Sequence, residues 1–214
     1  MDASPASSLI DILPLRQRLA LAYGARSGRA RIGAVLALDA RLAGILRHSR
    51  EPMLAQLRFA WWREMLASDP ARWPAGEPLL AAISTSHADP APLAGLVDGW
   101  EAMTGAAPLG EDAFATLAAA RAGALAGNHD EGQRLARGWA LADIARHLSH
   151  PQEREAALGL AQAADWRAAR LPRSLRPLAV LHALAARDLR KGLNEDRISP
   201  AGLLVAMRVG LTGW

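Results

Sequence analysis

Apolar residues recur at helical spacing along nearly the whole chain, and proline or glycine interrupts this pattern at short intervals. Spacings of three and four residues place apolar side chains on one face of an α-helix, whereas a strand needs strict alternation. The apolar residues are mostly alanine and leucine, which favour helices over strands. We therefore predict an all-α fold. The predicted helices cover residues 15–23, 29–47, 52–67, 77–86, 91–103, 111–126, 130–148, 152–169, 174–191 and 199–211.

The connections between these predicted helices are short, and we find no internal repeat, linker or low-complexity tract. Short connections usually join helices that pack against each other. We predict a single-domain helical bundle over residues 1–214. Segment 68–78, SDPARWPAGEP, is the most loop-like part of the chain.

Several classes of protein are excluded by composition and charge. The chain has no cysteine, which excludes a disulfide framework and a thiolate metal site. The N-terminal sequence MDASPASSLIDIL lacks the pattern of a signal peptide, and no apolar run reaches the length of a spanning helix. The net charge is only +4, and the arginines are spread along the helices rather than clustered with aromatic residues. We expect a cytoplasmic protein that does not bind nucleic acid.

One carboxylate interrupts the apolar face of the predicted helix 29–47. Asp39 falls in the middle of the face formed by Ile32, Leu42 and Leu46. Burying a carboxylate there is costly unless it is paired or hydrogen-bonded. Asp39 is therefore a candidate for an internal ion pair or for the lining of a cavity.

The predicted helix 52–67 contains adjacent tryptophans, Trp61 and Trp62. Neighbouring residues on a helix point about 100° apart, so these two side chains cannot share one buried stripe. The apolar residues of this helix sweep roughly 240° of the helical wheel, whereas a surface helix needs little more than 100°. We expect this helix to have neighbours on several sides and to be central to the bundle. Arg58 and Glu64 fall inside the apolar sweep, so either they pair with charges on adjacent helices or they line a central cavity.

Four segments resemble, in order, segments of the squalene/phytoene synthase family. They are RARIGAVLALDARLAGILRHS (29–49), SREPMLAQLRFAWWREML (49–66), LARGWALADIARHLSHP (135–151) and LHALAARDLRK (181–191). The resemblance implies a shortened bundle of the terpenoid synthase type. In catalytic members, two aspartate-rich motifs face each other across a cavity, where they hold the Mg²⁺ ions that neutralise the diphosphates of two prenyl substrates.

The residues that match the two acidic motifs are not acidic. The first motif aligns with GILRH, so Gly44, Ile45 and His48 stand where aspartates are expected. The second aligns with HLSHP, which begins at His147, and Arg146 keeps its family position.

Other carboxylates do not replace the missing motifs. Asp143 precedes His147 by one helical turn, but one aspartate and two histidines at the end of a single helix give no closed set of metal ligands. We expect no metal site and no cofactor, with Mg²⁺ required only if the chain is a transferase. The candidate cavity-lining residues are Asp39, Arg58, Trp61, Trp62, Glu64, Asp143, Arg146 and His147.

Three functions remain open. The first is a non-catalytic binding or assembly factor, because a branch of this family assists the assembly of respiratory complex I and has a similar EPML…WWRE segment without the acidic motif. Its partner would be a protein or a membrane-associated complex, and the protein would then lie at the inner membrane as a peripheral component. The second is a Mg²⁺-dependent transferase that condenses two prenyl diphosphates. The third is a carrier of an apolar ligand such as a lipid or terpenoid.

Overall fold

The computed structural model describes residues 9–48, 51–86, 88–193 and 198–213. Within these ranges the regular structure is helical and contains no β-strand, so the all-α prediction is confirmed. The α-helices are α1 (Leu15–Ala22), α2 (Arg26–His48), α3 (Pro52–Ala67), α4 (Pro78–Thr85), α5 (Pro90–Glu101), α6 (Glu111–Ala126), α7 (Asp130–His147), α8 (Pro151–Ala163), α9 (Arg176–Arg190) and α10 (Pro200–Thr212). Segment 68–78 contains a single 3-10 turn, Pro70–Arg72.

The helix starts follow from residues that suit the first turn. Several helices begin at or next to a proline, whose fixed φ suits the first turn and whose missing N–H needs no partner there. Other first-turn N–H groups donate to a capping side chain. The Asp89 carboxylate accepts from Ala91 at the start of α5 at 3.0 Å, and the Ser199 hydroxyl accepts from Gly202 at the start of α10 at 3.2 Å.

Helix α7 lies in the middle of the bundle and packs against α6, α8 and α9. Helix α9 in turn packs against α1 and α10, and α2 contacts α4, α5 and α6. Charged residues on the apolar faces of α2, α6, α7 and α9 therefore lie at the contacts between these helices. None of the described helices is both long and apolar enough to cross a membrane.

Two glycines allow backbone and ring to approach more closely than any side chain would permit. A Cβ on Gly28 of α2 would lie 2.1 Å from the carbonyl oxygen of Ser174. A Cβ on Gly210 of α10 would lie 2.2 Å from the ring of Tyr23. These contacts fix α2 against the turn before α9, and α10 against the end of α1.

Helix α3 lies at the surface, so the prediction that it is central to the bundle is wrong. Its buried face packs mainly against α5, while the opposite face is exposed to solvent. The wide apolar sweep therefore consists of two separate apolar faces rather than one face with neighbours on all sides. The buried face consists of Ala55, Phe59, Trp62 and Leu66; the exposed face consists of Met53, Leu54, Leu57 and Trp61.

Helix α8 ends at Ala163, six residues before the predicted end at residue 169. The chain leaves the helix at Ala164, which has an extended backbone. The Trp166 indole N–H donates to the carbonyl oxygen of Ala161 at 2.8 Å, and the same oxygen accepts from the backbone N–H of Ala164 at 3.3 Å. A side chain beyond the helix thus binds back to its last turn, where no glycine or proline marks the end.

Candidate functional site

A buried ion pair joins α2 to α6. Asp39 and Arg121 are each 5% exposed, and the Arg121 Nε donates to Asp39 Oδ1 at 2.9 Å. The Trp100 indole N–H on α5 donates to the same carboxylate oxygen at 2.7 Å. On its other side, Arg121 Nη1 donates to Asp143 Oδ2 of α7 at 3.0 Å. One guanidinium therefore binds carboxylates from two different helices in the interior of the bundle.

The environment of Arg121 stabilises its charge. Burial removes water from the guanidinium and by itself lowers its pKa, but the carboxylates of Asp39 and Asp143 more than offset this effect, so the pKa of Arg121 is raised. The guanidinium carbon also lies 5.0 Å from the ring centre of Trp100 and 5.7 Å from that of Trp139. These aromatic faces favour the cation and exclude water from it.

A second buried carboxylate, Asp188 of α9, is surrounded by arginines. Asp188 is 2% exposed, and its Oδ2 accepts from Arg146 Nη2 at 3.1 Å and from Arg16. Arg187 Nη1 lies 3.6 Å from its Oδ1. This cluster joins α1, α7 and α9 in the same way that Arg121 joins α2, α6 and α7.

A small cavity separates the two charge clusters. Its lining includes Arg16, Trp139, Asp143, Arg146 and Asp188, and its volume is about 30 Å³. A cavity of this size accommodates about one or two water molecules. The space between the two charge clusters therefore has room for water but not for a prenyl chain.

A larger opening lies at the surface, between α2, α3 and the residues that precede α1. We call it the α2–α3 groove; its volume is about 640 Å³. Its ionisable lining residues among those the structure describes are arginine and histidine, with no carboxylate among them. The groove is lined by Leu9, Ile12, Ala37, Ala40, Arg41, Gly44, Ile45, Arg47, His48, Arg58, Trp61, Trp62 and Leu79.

The predicted site residues do not form one site: three lie in the interior charge clusters, three line the groove, and His147 and Glu64 belong to neither. Asp39, Asp143 and Arg146 belong to the interior charge clusters. The ring of His147 is exposed, and its Nδ1 lies 2.8 Å from the carbonyl oxygen of Asp143, so it caps the end of α7. Glu64 is exposed and lines neither the groove nor the small cavity.

The other predicted residues belong to the groove. Arg58, Trp61 and Trp62 line it together, and Trp61 and Trp62 meet edge to face with ring centres 5.0 Å apart. Internal ion pairing was one of two alternatives predicted for Asp39, Arg58 and Glu64. It is confirmed for Asp39, whereas Arg58 and Glu64 are exposed.

Sequence reasoning missed Arg121, which is the partner of Asp39, and the second buried carboxylate, Asp188. Arg121 is the one charged residue in the run FATLAAARAGALA of α6, and Asp188 follows Leu181, Leu184 and Ala185 at helical spacing. Both carry the signal that identified Asp39, a charge inside an apolar face. His182 and Trp166, which stack with ring centres 4.9 Å apart, gave no such signal.

The interior residues do not fit the Mg²⁺–diphosphate site that the family resemblance implies. Gly44, Ile45 and His48, which align with the first acidic motif, line the groove and offer no carboxylate. The carboxylates of Asp39 and Asp143 are bound by Arg121. Among the described residues, no group of three or more acidic or histidine side chains is close enough to hold a metal ion.

Comparison of this chain with protein-family models, with curated proteins and with solved structures gives no match. The resemblance to the squalene/phytoene synthase family therefore stays a prediction that depends on the quoted segments.

Proposed function

We propose that this protein is a non-catalytic binding protein that acts as an assembly factor, and that the α2–α3 groove with the exposed face of α3 is its binding surface. The observation that carries the proposal is the exposure of large apolar side chains on one face of α3. Met53 is 70% exposed, Leu57 is 62% exposed and Trp61 is 37% exposed. These residues are one helical turn apart and form a continuous stripe. Contiguous exposed apolar surface of this kind is typical of a protein–protein contact.

The stripe borders the α2–α3 groove, whose volume is about 640 Å³. Trp61 belongs to both surfaces, and tryptophan and arginine are the residues that most often dominate the energy of a protein contact. Arg47 and Arg58 lie at the rim, and Arg41 holds Glu77 with oxygen–nitrogen distances of 3.2 and 3.4 Å. A partner segment with apolar residues on one side and acidic residues beside them complements this surface.

The interior charge clusters favour a binding role over prenyl transfer. The Arg121 guanidinium already neutralises Asp39 and Asp143, so a Mg²⁺ ion at these carboxylates would be placed close to a buried cation. The resemblance to the assembly-factor branch suggests that the partner is a subunit of a respiratory complex. This identity of the partner is the more specific part of the proposal, and it is supported by the sequence resemblance of the four segments.

Affinity capture with matched variants tests the binding surface. The wild-type chain, the variant L57S/W61S and the control variant L204S/L211S are used as bait in extracts of the native organism. Leu204 and Leu211 are exposed on α10, at 66% and 70%, so the control removes an equal amount of exposed apolar surface elsewhere. We expect the wild type and the control to retain the same partner and the groove variant to lose it. Equal recovery by all three baits would remove the proposed surface.

Three further measurements distinguish the alternatives. Recovery of respiratory-chain subunits supports the finer assignment, and their reproducible absence from a capture that retains another partner removes it. An assay with farnesyl and geranylgeranyl diphosphate plus Mg²⁺ tests the transferase. Turnover that is abolished in D143N would overturn a non-catalytic role. Co-purification of a lipid or terpenoid that is lost in L57S/W61S would instead support an apolar-ligand carrier.

A further inference from the structure

A second pocket lies between α7, α9, α10 and the segment that follows α8, and it shares no lining residue with the groove. Its volume is about 170 Å³. An apolar cavity of about 150 Å³ accommodates a benzene ring, so this pocket has room for a molecule of about that size with one or two substituents. Its walls are mainly apolar, formed by Leu135, Trp166, Ala168, Ala169, Ala179, Ala183, Ala186, Val205 and Val209.

A buried histidine forms part of the wall. His182 is 3% exposed and stacks on Trp166 with an angle of 27° between the rings. Its Nε2 has no hydrogen-bond partner among the residues that the structure describes. A buried nitrogen without a partner is unfavourable, and such atoms are uncommon in folded proteins.

The protonation of this histidine defines what it can bind. Burial lowers the pKa of His182 to about 4, so the ring is neutral at pH 7. The backbone of Asp165 favours the protonated ring, but burial has the larger effect. In a neutral imidazole one nitrogen donates a hydrogen bond and the other accepts one. A hydroxyl group is a suitable partner for Nε2 in either role, because it both donates and accepts.

The polar groups of the pocket other than His182 are cationic. Arg187 is buried in the wall, and Arg190 and Arg208 are exposed at the mouth. Among the described residues, no carboxylate lines the pocket. Neither Arg190 nor Arg208 forms an ion pair with any described residue. The pocket thus combines a buried imidazole nitrogen without a partner, apolar walls and positive charge at the mouth.

Gly138 leaves space beside Nε2 of His182. A Cβ at this position of α7 would lie 3.7 Å from Nε2 and 3.4 Å from Cδ2 of His182, which are ordinary contact distances. The missing side chain therefore leaves room for a small polar group, such as a hydroxyl, next to Nε2. An alanine would fill that space without forcing the helices apart.

We propose that this pocket binds a small hydroxylated organic acid, whose hydroxyl group forms a hydrogen bond with His182 Nε2 and whose anionic group binds Arg190 and Arg208. The ligand body lies against the alanine and valine side chains of α9 and α10. No bond is made or broken, so the pocket serves as a binding site. Its occupancy is independent of the α2–α3 groove, which lies on other helices.

Calorimetric titration of the full chain with three matched probes tests this proposal. The probes are 4-hydroxybenzoate, which has both groups, benzoate, which lacks the hydroxyl group, and phenol, which lacks the acid. We expect 4-hydroxybenzoate to bind about tenfold more tightly than either of the others, because each lost polar contact weakens binding by about that factor. In a ¹⁵N spectrum, the His182 Nε2 resonance should shift with 4-hydroxybenzoate and not with benzoate.

Variants locate the binding site. The variant G138A should remove the preference for the hydroxyl group and leave the affinity for benzoate unchanged. R208Q should weaken the binding of both acids about three- to fivefold and leave phenol unaffected, since an exposed ion pair contributes modestly. The control R72Q changes an exposed arginine elsewhere and should change nothing. The proposal is overturned if 4-hydroxybenzoate shows no saturable binding up to about 10 mM, or if G138A and R208Q bind all three probes as the wild type does.

Discussion

Arg121 Nε and Asp39 Oδ1 lie 2.9 Å apart in the interior of the bundle, and each residue is 5% exposed. The same guanidinium binds Asp143, so three helices depend on one cation. A charge removed from water in this way stays favourable only while its partners are present. The pair therefore specifies how α2, α6 and α7 fit together.

The first prediction concerns removal of this cation. R121M leaves Asp39 as an uncompensated buried carboxylate, and we expect it to reduce the free energy of unfolding by about 3–5 kcal/mol. Chemical denaturation followed by circular dichroism measures this change. The double variant D39N/R121M should be less destabilised than the sum of its single variants, because both remove the same interaction.

Arg63 provides the control for this prediction. It also binds two carboxylates, Asp98 and Glu101, but its side chain is 36% exposed. R63M should reduce stability by less than about 1 kcal/mol, because water replaces the lost contacts. Equal losses in R121M and R63M would show that burial of the Arg121 pair adds nothing.

The sequence predicted the helices well because proline, glycine and apolar spacing are local signals. It also identified Asp39 as a charge inside an apolar face, and the same signal was present at Arg121 and Asp188. The partner of each charge could not be predicted. The contact between Asp39 and Arg121 joins residues far apart in the chain, and helical periodicity says nothing about which faces meet.

The two incorrect predictions, the position of α3 and the end of α8, concern features that depend on tertiary contacts. A helical wheel shows that α3 is apolar over a wide arc, but it does not show which part of the arc is covered by α5. Likewise, α8 ends at Ala163 because Trp166 bonds back to the helix and then stacks on His182. Neither contact has a signature in the local sequence.

The second prediction concerns the adjacent tryptophans. Trp62 is 3% exposed and Trp61 is 37% exposed, although they are neighbours in the chain. W62A should reduce the free energy of unfolding by about 3–5 kcal/mol, because it removes a large buried side chain. W61A should cost only about 1 kcal/mol, mainly through the lost edge-to-face contact between the two rings. Urea denaturation of both variants measures the difference, and equal losses would contradict the surface position of α3.

The third prediction concerns pH. The pKa of His182 is about 4 in the folded protein, mainly because of burial, and about 6.5 in an unfolded chain. Between these values the unfolded state binds more protons, so the stability of the folded state decreases as the pH falls through this window. A shift of this size corresponds to about 3 kcal/mol at pH 4 relative to pH 7.

The variant H182F isolates this effect from the titration of carboxylates. Phenylalanine preserves an aromatic ring against Trp166 but does not titrate in this range. The difference in unfolding free energy between wild type and H182F should change with pH between about 6.5 and 4 and should be constant above about pH 7. A difference that is constant across the whole range would show that His182 is not kept neutral by burial.

The fourth prediction compares two glycines that occupy helices. A Cβ on Gly28 would lie 2.1 Å from the backbone oxygen of Ser174, and that backbone cannot move without separating α2 from the turn before α9. We expect G28A to lower the free energy of unfolding by about 3 kcal/mol, at the upper end of the cost of overpacking. Gly159 lies on the exposed side of α8, and a Cβ there meets nothing within 4 Å. G159A should therefore raise stability by about 0.5–1 kcal/mol, because alanine has the higher helix propensity. Thermal and urea denaturation of both variants distinguish the two effects, and a stabilised G28A would contradict the close approach of α2 to Ser174.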